Sequence, residues 1–219
     1  MFEDIPIESR LGIFLHQTFF KNIYTGKYFM LLTVKNTILV SALAMTSATA
    51  ISGPSNAPFQ ATVTITDSID PNGLAACTAL KLPGVSVGSG MTIGHGNATY
   101  LGRMAFVGSD CVQITGTLYG LPTFYFSGPQ GSLTITAANG DKLYGSYNGS
   151  FVPTGEPPKG GLVPYKVEGG QFSIMKGTGR FVDAYASGTL SGVEALSLDL
   201  SGNGPPSTGT IYLNGKISY

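Results

Sequence analysis

The sequence predicts an all-β protein: a closed antiparallel β-barrel of about eight main strands behind a cleaved N-terminal signal segment. Three observations predict it. Apolar residues alternate with Ser and Thr at period two from Phe59 onward, Gly, Pro and Asn turn signals recur at short intervals, and helical spacing is scarce.

The first element is Met30–Ala50, MLLTVKNTILVSALAMTSATA. Lys35 supplies a positive start, Thr37–Met45 an apolar core, and Ala48-Thr49-Ala50 a small-x-small cleavage site. A membrane anchor would need roughly 20 apolar residues, and this run is shorter and diluted by Ser and Thr. The expected organisation is therefore 1–29 as a non-native or extended N-terminal region, 30–50 as a signal peptide and 51–219 as a single barrel domain. The expected location is secreted or periplasmic, with no stable membrane anchor after cleavage.

Phe59–Thr66 reads as a half-buried strand, with Phe59, Ala61, Val63 and Ile65 facing one way. Further strands are expected at Thr99–Val107, Cys111–Leu118, Thr123–Ser127, Leu133–Ala137, Leu143–Tyr147, Tyr165–Glu168, Phe172–Met175, Leu196–Leu200 and Thr210–Tyr219. Asn139-Gly140 between alternating runs predicts a hairpin with a type I′ turn. Turns are also expected at Pro71-Asn72-Gly73, Gly108-Ser109-Asp110, Gly128-Pro129, Gly169-Gly170 and Gly202–Pro206. Pro83–Asn97 and Pro153–Pro164 read as long loops, and Arg180–Ala186 as a short helical turn. Nine or ten short strands at close spacing suit a closed barrel or a sandwich, and the barrel is favoured because a meander with few edge charges needs closure to avoid aggregation.

After residue 50 the chain carries eight Lys and Arg against nine Asp and Glu. No basic stripe exists to neutralise phosphates, so a nucleic-acid partner is not expected. Both cysteines, Cys77 and Cys111, lie in this part, and in an oxidising compartment their simplest state is a disulfide. Two buried free thiols are the alternative. No metal site is expected, since His95 is the only histidine after residue 50 and no Cys-x-x-Cys occurs. No cofactor motif is present either: Gly177-Thr178-Gly179-Arg180 lacks the Gly-Lys-Ser/Thr of a phosphate loop.

Three segments together carry a likeness: Tyr100-Leu101-Gly102-Arg103, Thr136–Asp141 with Leu143 and Gly145, and Lys176–Phe181 running to Ala186-Ser187-Gly188-Thr189. In this order they resemble a group of exported bacterial proteins related in pattern to the allene oxide cyclase and dirigent barrels. The resemblance implies an eight-stranded barrel with a cavity for a small apolar molecule. If the chain were an enzyme, the resemblance would make it isomerase- or cyclase-like, but no catalytic residue carries over.

Arg103, Arg180 and Asp183 are the candidate ligand-binding residues, since a guanidinium at a barrel mouth can grip a carboxylate; Arg180–Asp183 and Arg103–Asp110 ion pairs fixing loops are the structural alternative. His95 could act as acid or base but shows no nucleophile or metal partner and reads as an exposed loop residue. Whether the chain is an enzyme stays open. The leading reading is an exported barrel binding a small apolar ligand, with an enclosed cavity of roughly 300 Å³ or more. A non-catalytic surface or matrix protein is second, and an outer-membrane barrel third. A homo-oligomer is compatible with each.

Overall fold

A computed structural model describes residues 53–73, 77–78, 82–199 and 204–219, without the side chains of 129–131. The signal segment 30–50 and the region 1–29 lie outside the described residues. Eight strands follow in chain order: β1 Ala57–Asp70, β2 Val85–Ala98, β3 Gly102–Leu118, β4 Leu121–Ala137, β5 Lys142–Pro153, β6 Leu162–Gly177, β7 Tyr185–Ser197 and β8 Ser207–Ser218. Each pairs antiparallel with its neighbours, and β1 pairs with β8, which closes the barrel and removes every sheet edge.

The expected fold is present, but its strands are fewer and longer than the sequence suggested. Gly108-Ser109-Asp110, Gly128-Pro129 and Gly169-Gly170 are not turns. They lie where the β3–β4, β4–β5 and β6–β7 registers shift, inside continuous strands. A β-bulge uses the same residue types as a turn, so local composition cannot separate the two. Residues 85–97, expected in a loop, form β2. Its inward positions are Gly88, Gly90, Gly94 and Gly96 around Thr92, so it shows no apolar alternation. The strand expected at Leu196–Leu200 lies earlier, as β7, where Gly188 and Gly192 interrupt the pattern.

The β4–β5 hairpin falls where Asn139-Gly140 places it, with a different turn. Gly140 alone has positive φ, 88°, and its N–H donates to Ala137 O at 2.9 Å, so a type I turn is followed by a left-handed glycine. The segment at 179–181 is a single 3-10 turn. The 154–161 connection and the turn at Pro71–Gly73 stand as expected.

Inward side chains from every strand but β2 fill the interior, including Phe59, Val63, Phe106, Leu133, Leu143, Tyr165, Ile174 and Leu213. One end of the barrel is shut by Phe181, fully buried and packed edge-on against Tyr219 at 4.7 Å. Gly215 marks a close strand approach. It pairs with Gly188 on β7 and Phe59 on β1, and a Cβ there would run into the Ser187 carbonyl and lie 2.9 Å from Gly188 Cα. Backbone cannot yield as a side-chain tip can, so Gly215→Ala should cost about 2–3 kcal/mol. Urea unfolding checks this: the midpoint should fall with the m-value unchanged.

The Cys77–Cys111 disulfide is formed, with Cα atoms 5.3 Å apart, and ties the segment before β2 to the wall of β3. Among the described residues no helix is long and apolar enough to cross a membrane. A disulfide is compatible with an extracellular or periplasmic setting.

Candidate functional site

The interior alternation of β1 runs Val63, Ile65 and then, still in phase, Asp67. On β3 the series Met104, Phe106, Gly108 arrives at Asp110; on β5, Leu143 and Gly145 lead to Tyr147; on β7, Leu190 and Gly192 lead to Glu194. In a closed barrel, inward positions of alternate strands meet at one level. Four polar side chains from β1, β3, β5 and β7 therefore converge in the interior. Thr92 joins them from β2, where it is the register partner of Asp67.

The contacts are specific. Tyr147 donates its phenolic proton to Asp110 Oδ2 at 2.8 Å. The Asp67 and Glu194 carboxyls face each other, and the Thr92 hydroxyl, with one proton to give, faces Asp67 and Tyr147. Burial raises both and each perturbs the other, so this pair keeps a proton more readily than exposed carboxylates do. Asp110 is 9% exposed and Glu194 5%. Asp67 Oδ1, Asp110 Oδ1 and Glu194 Oε2 are buried without a hydrogen-bond partner.

Burial disfavours ionisation throughout the cluster. It pushes Asp110 up to about 7; the Asp67 charge adds to this and the Tyr147 hydrogen bond opposes it. Burial, and then the nearby Asp67 charge, hold Glu194 well above the carboxylate range. Asp67 is raised by burial against the opposing bonds from Glu194 and Thr92. Tyr147 is raised by burial and by the Asp110 charge, so it stays a donor. Every described Lys and Arg is exposed, so among the described residues no buried cation offsets these groups.

Glycines make room for the acids. A Cβ on Gly90 would collide with Asp110 Oδ1, and one on Gly209 with Glu194 Cγ. Ring contacts then wall the cluster: Tyr147 lies 6.2 Å from Phe106 and 6.0 Å from Phe126, which in turn is 4.6 Å from Phe151.

Small spaces adjoin the acids. One, between Asp67, Asp110, Thr92 and Tyr147, has a volume of about 20 Å³. A second, between Asp67 and Asp110 and the apolar Ile69, Val112, Phe124 and Leu196, offers 30 Å³. A third, of 100 Å³, is a groove sharing Asp67, Ile69 and Ser207 and running under Pro205 and Pro206. A water needs about 10–15 Å³ on this measure, so each inner space suits one or two waters or a group of that size. The enclosed cavity of roughly 300 Å³ expected from the sequence is not found among the described residues, because aromatic side chains fill the barrel.

The sequence-predicted candidates lie elsewhere. Arg103 is exposed at the start of β3, paired in register with Asn97. Arg180 is exposed at the shut end, where its guanidinium donates to the Tyr100 carbonyl and stacks over Phe181 at 4.6 Å. Asp183 is exposed just beyond, in the connection to β7, and His95 is exposed on β2, in a strand and not a loop. None of the four lines the spaces beside the acids.

No family model matches the chain, and no curated protein matches it.

Proposed function

We propose that the protein is an exported barrel that binds a small molecule at its acid-lined end. The ligand's polar head sits among Asp67, Asp110 and Glu194, and its apolar body lies toward Ile69 and Leu196. The observation that carries this is the set of buried, unpartnered carboxylate oxygens facing small spaces. Such groups cost several kcal/mol unless something pairs with them, and a fold that served only as a wall would do better with Leu there. The eight-stranded closed barrel supports a relationship to the allene oxide cyclase-like and dirigent-like barrels, which stays part of the proposal. Export is supported by the disulfide and by the signal-like segment 30–50.

Native mass spectrometry of protein purified from the exported fraction tests the reading. A retained small molecule is expected with the native protein and not with Asp110→Asn. Retention by neither protein, together with no response to any added small molecule, would remove the reading.

The matrix-protein reading has its own observation. The interior is mostly filled, and Ile93 and Val107, cross-strand partners beside Met91, form an exposed apolar patch on the outer wall. The outer-membrane reading is disfavoured: the outward residues Gln60, Thr62 and Thr64 of β1 are polar and exposed, where a lipid-facing wall is apolar.

A further inference from the structure

We propose that the acid-lined end takes a primary amine, its ammonium seated among Asp67, Asp110 and Glu194 and its apolar body directed toward Ile69, Val112 and Leu196. The inference rests on the small-molecule reading above and names the ligand class for that site.

Four observations select an amine. The first is charge. Asp67, Glu194 and Asp110 bring three acids into one apolar interior, and each that ionises adds a negative charge there. Every described cationic side chain is exposed, so none of the described residues supplies the matching positive charge.

The second is hydrogen-bond type. The unpartnered atoms facing the spaces are carboxyl oxygens: Asp67 Oδ1, Asp110 Oδ1 and Glu194 Oε2. Carboxylates accept, and an ammonium brings three donors and no acceptor. A carboxylate or phosphate head would meet like charge and find Tyr147 already committed to Asp110.

The third is size. Spaces of 20 and 30 Å³ fit a water-sized group, so only the head enters them and the body passes Ile69 into the adjoining 100 Å³ groove. A primary ammonium is that size, whereas a trimethylammonium is several times larger and would have to displace Phe151 or Tyr147. The fourth is the wall, since the rings of Phe106, Phe126 and Tyr147 surround the acids and aromatic faces favour a nearby cation. A metal ion would need all three acids as close ligands, and among the described residues no group of three His, Cys, Asp or Glu is so disposed; an ammonium needs only two of them within reach, its third donor being open to water.

The pH dependence follows from the groups facing Asp110. These are Asp67 from β1, Tyr147 from β5 and Glu194 from β7, with the uncharged Thr92 from β2 and the apolar Phe126 from β4. An ammonium requires ionised carboxylates, so its binding expels protons and strengthens as Asp110 ionises.

Titration calorimetry with hexylamine, hexanol, hexyltrimethylammonium and hexanoate tests the class. Hexylamine should bind about tenfold or more tightly than the other three at about pH 8, and lose about tenfold on acidification to about pH 5.5. Asp110→Asn and Glu194→Gln, each shown to be folded by its melting curve, should weaken hexylamine by about tenfold and leave hexanol unchanged. Equal binding of hexanol, or amine binding indifferent to pH, overturns the amine assignment and leaves the site reading standing. Amine binding that survives both substitutions is surface binding and also overturns it. Silence from all four probes overturns it too, and then retention of a molecule in native mass spectrometry decides whether the site reading falls with it.

Discussion

Asp110→Asn should make the protein more stable at about pH 8 and less dependent on pH between about 5 and 8, with the share due to Asp67 and Glu194 remaining. The sign follows from linkage. Asp110 ionises near 3.8 in the unfolded chain and at about 7 in the barrel. Below the unfolded value both states are protonated, and the residue costs nothing through ionisation. As pH rises, the unfolded chain ionises first, so native stability falls until the barrel carboxyl ionises at about 7, and the loss is complete above that. At 1.36 kcal/mol per pH unit the interval corresponds to about 4 kcal/mol, an order-of-magnitude figure. Asp67 and Glu194 are raised as well, so the native protein should lose stability over the same range by at least that mechanism.

Asparagine keeps an acceptor for Tyr147 and carries no charge to bury. Urea midpoints at several pH values measure the effect. A variant less stable than the native protein at pH 8, or a native protein whose stability rises from pH 5 to 8, would contradict the electrostatic account. Stability surrendered for a buried charged site is the usual sign of function held against folding.

Cys77→Ala combined with Cys111→Ala should cost about 4 kcal/mol, from the loop entropy returned to the unfolded chain. The bond spans 34 residues, and both sulfurs are buried, so small apolar replacements leave no polar group unpaired. Refolding with and without reductant, followed by denaturant, checks it. A double variant as stable as the native protein would show that the bond adds nothing to the barrel. A large loss would mean that the fold depends on an oxidising compartment.

The barrel was legible in the sequence because its walls obey a simple rule. Alternation in β1 and β8 and the Asn139-Gly140 hairpin can each be read from a handful of residues. The disulfide partners were legible by elimination, being the only two cysteines. The acid cluster was not legible, for a physical reason in each case. Asp110 lies in Gly108-Ser109-Asp110, whose turn-like composition marks a bulge, and a bulge is known only from the register of the neighbouring strand. Asp67 continues the phase of Val63 and Ile65 one step beyond the Thr66 at which the strand was expected to stop. Glu194 is in phase with Leu196, but the strand was sought after that residue and not before it. The signal was therefore present as phase: acids on the inward parity of three strands. Nothing in the sequence brings those strands to one level until the barrel closes. Arg180 drew attention because arginines are scarce, yet its guanidinium serves the shut end by bonding Tyr100.

The most direct measurement is ¹³C NMR titration of the aspartate carboxyl carbons, with Asp110 assigned through Asp110→Asn, in the free protein and after adding hexylamine. The account predicts that Asp110 titrates near about 7 when free and that the amine lowers its midpoint by about one pH unit or more. An Asp110 that titrates near 3.8, unmoved by the amine or by any molecule the protein retains, would contradict it.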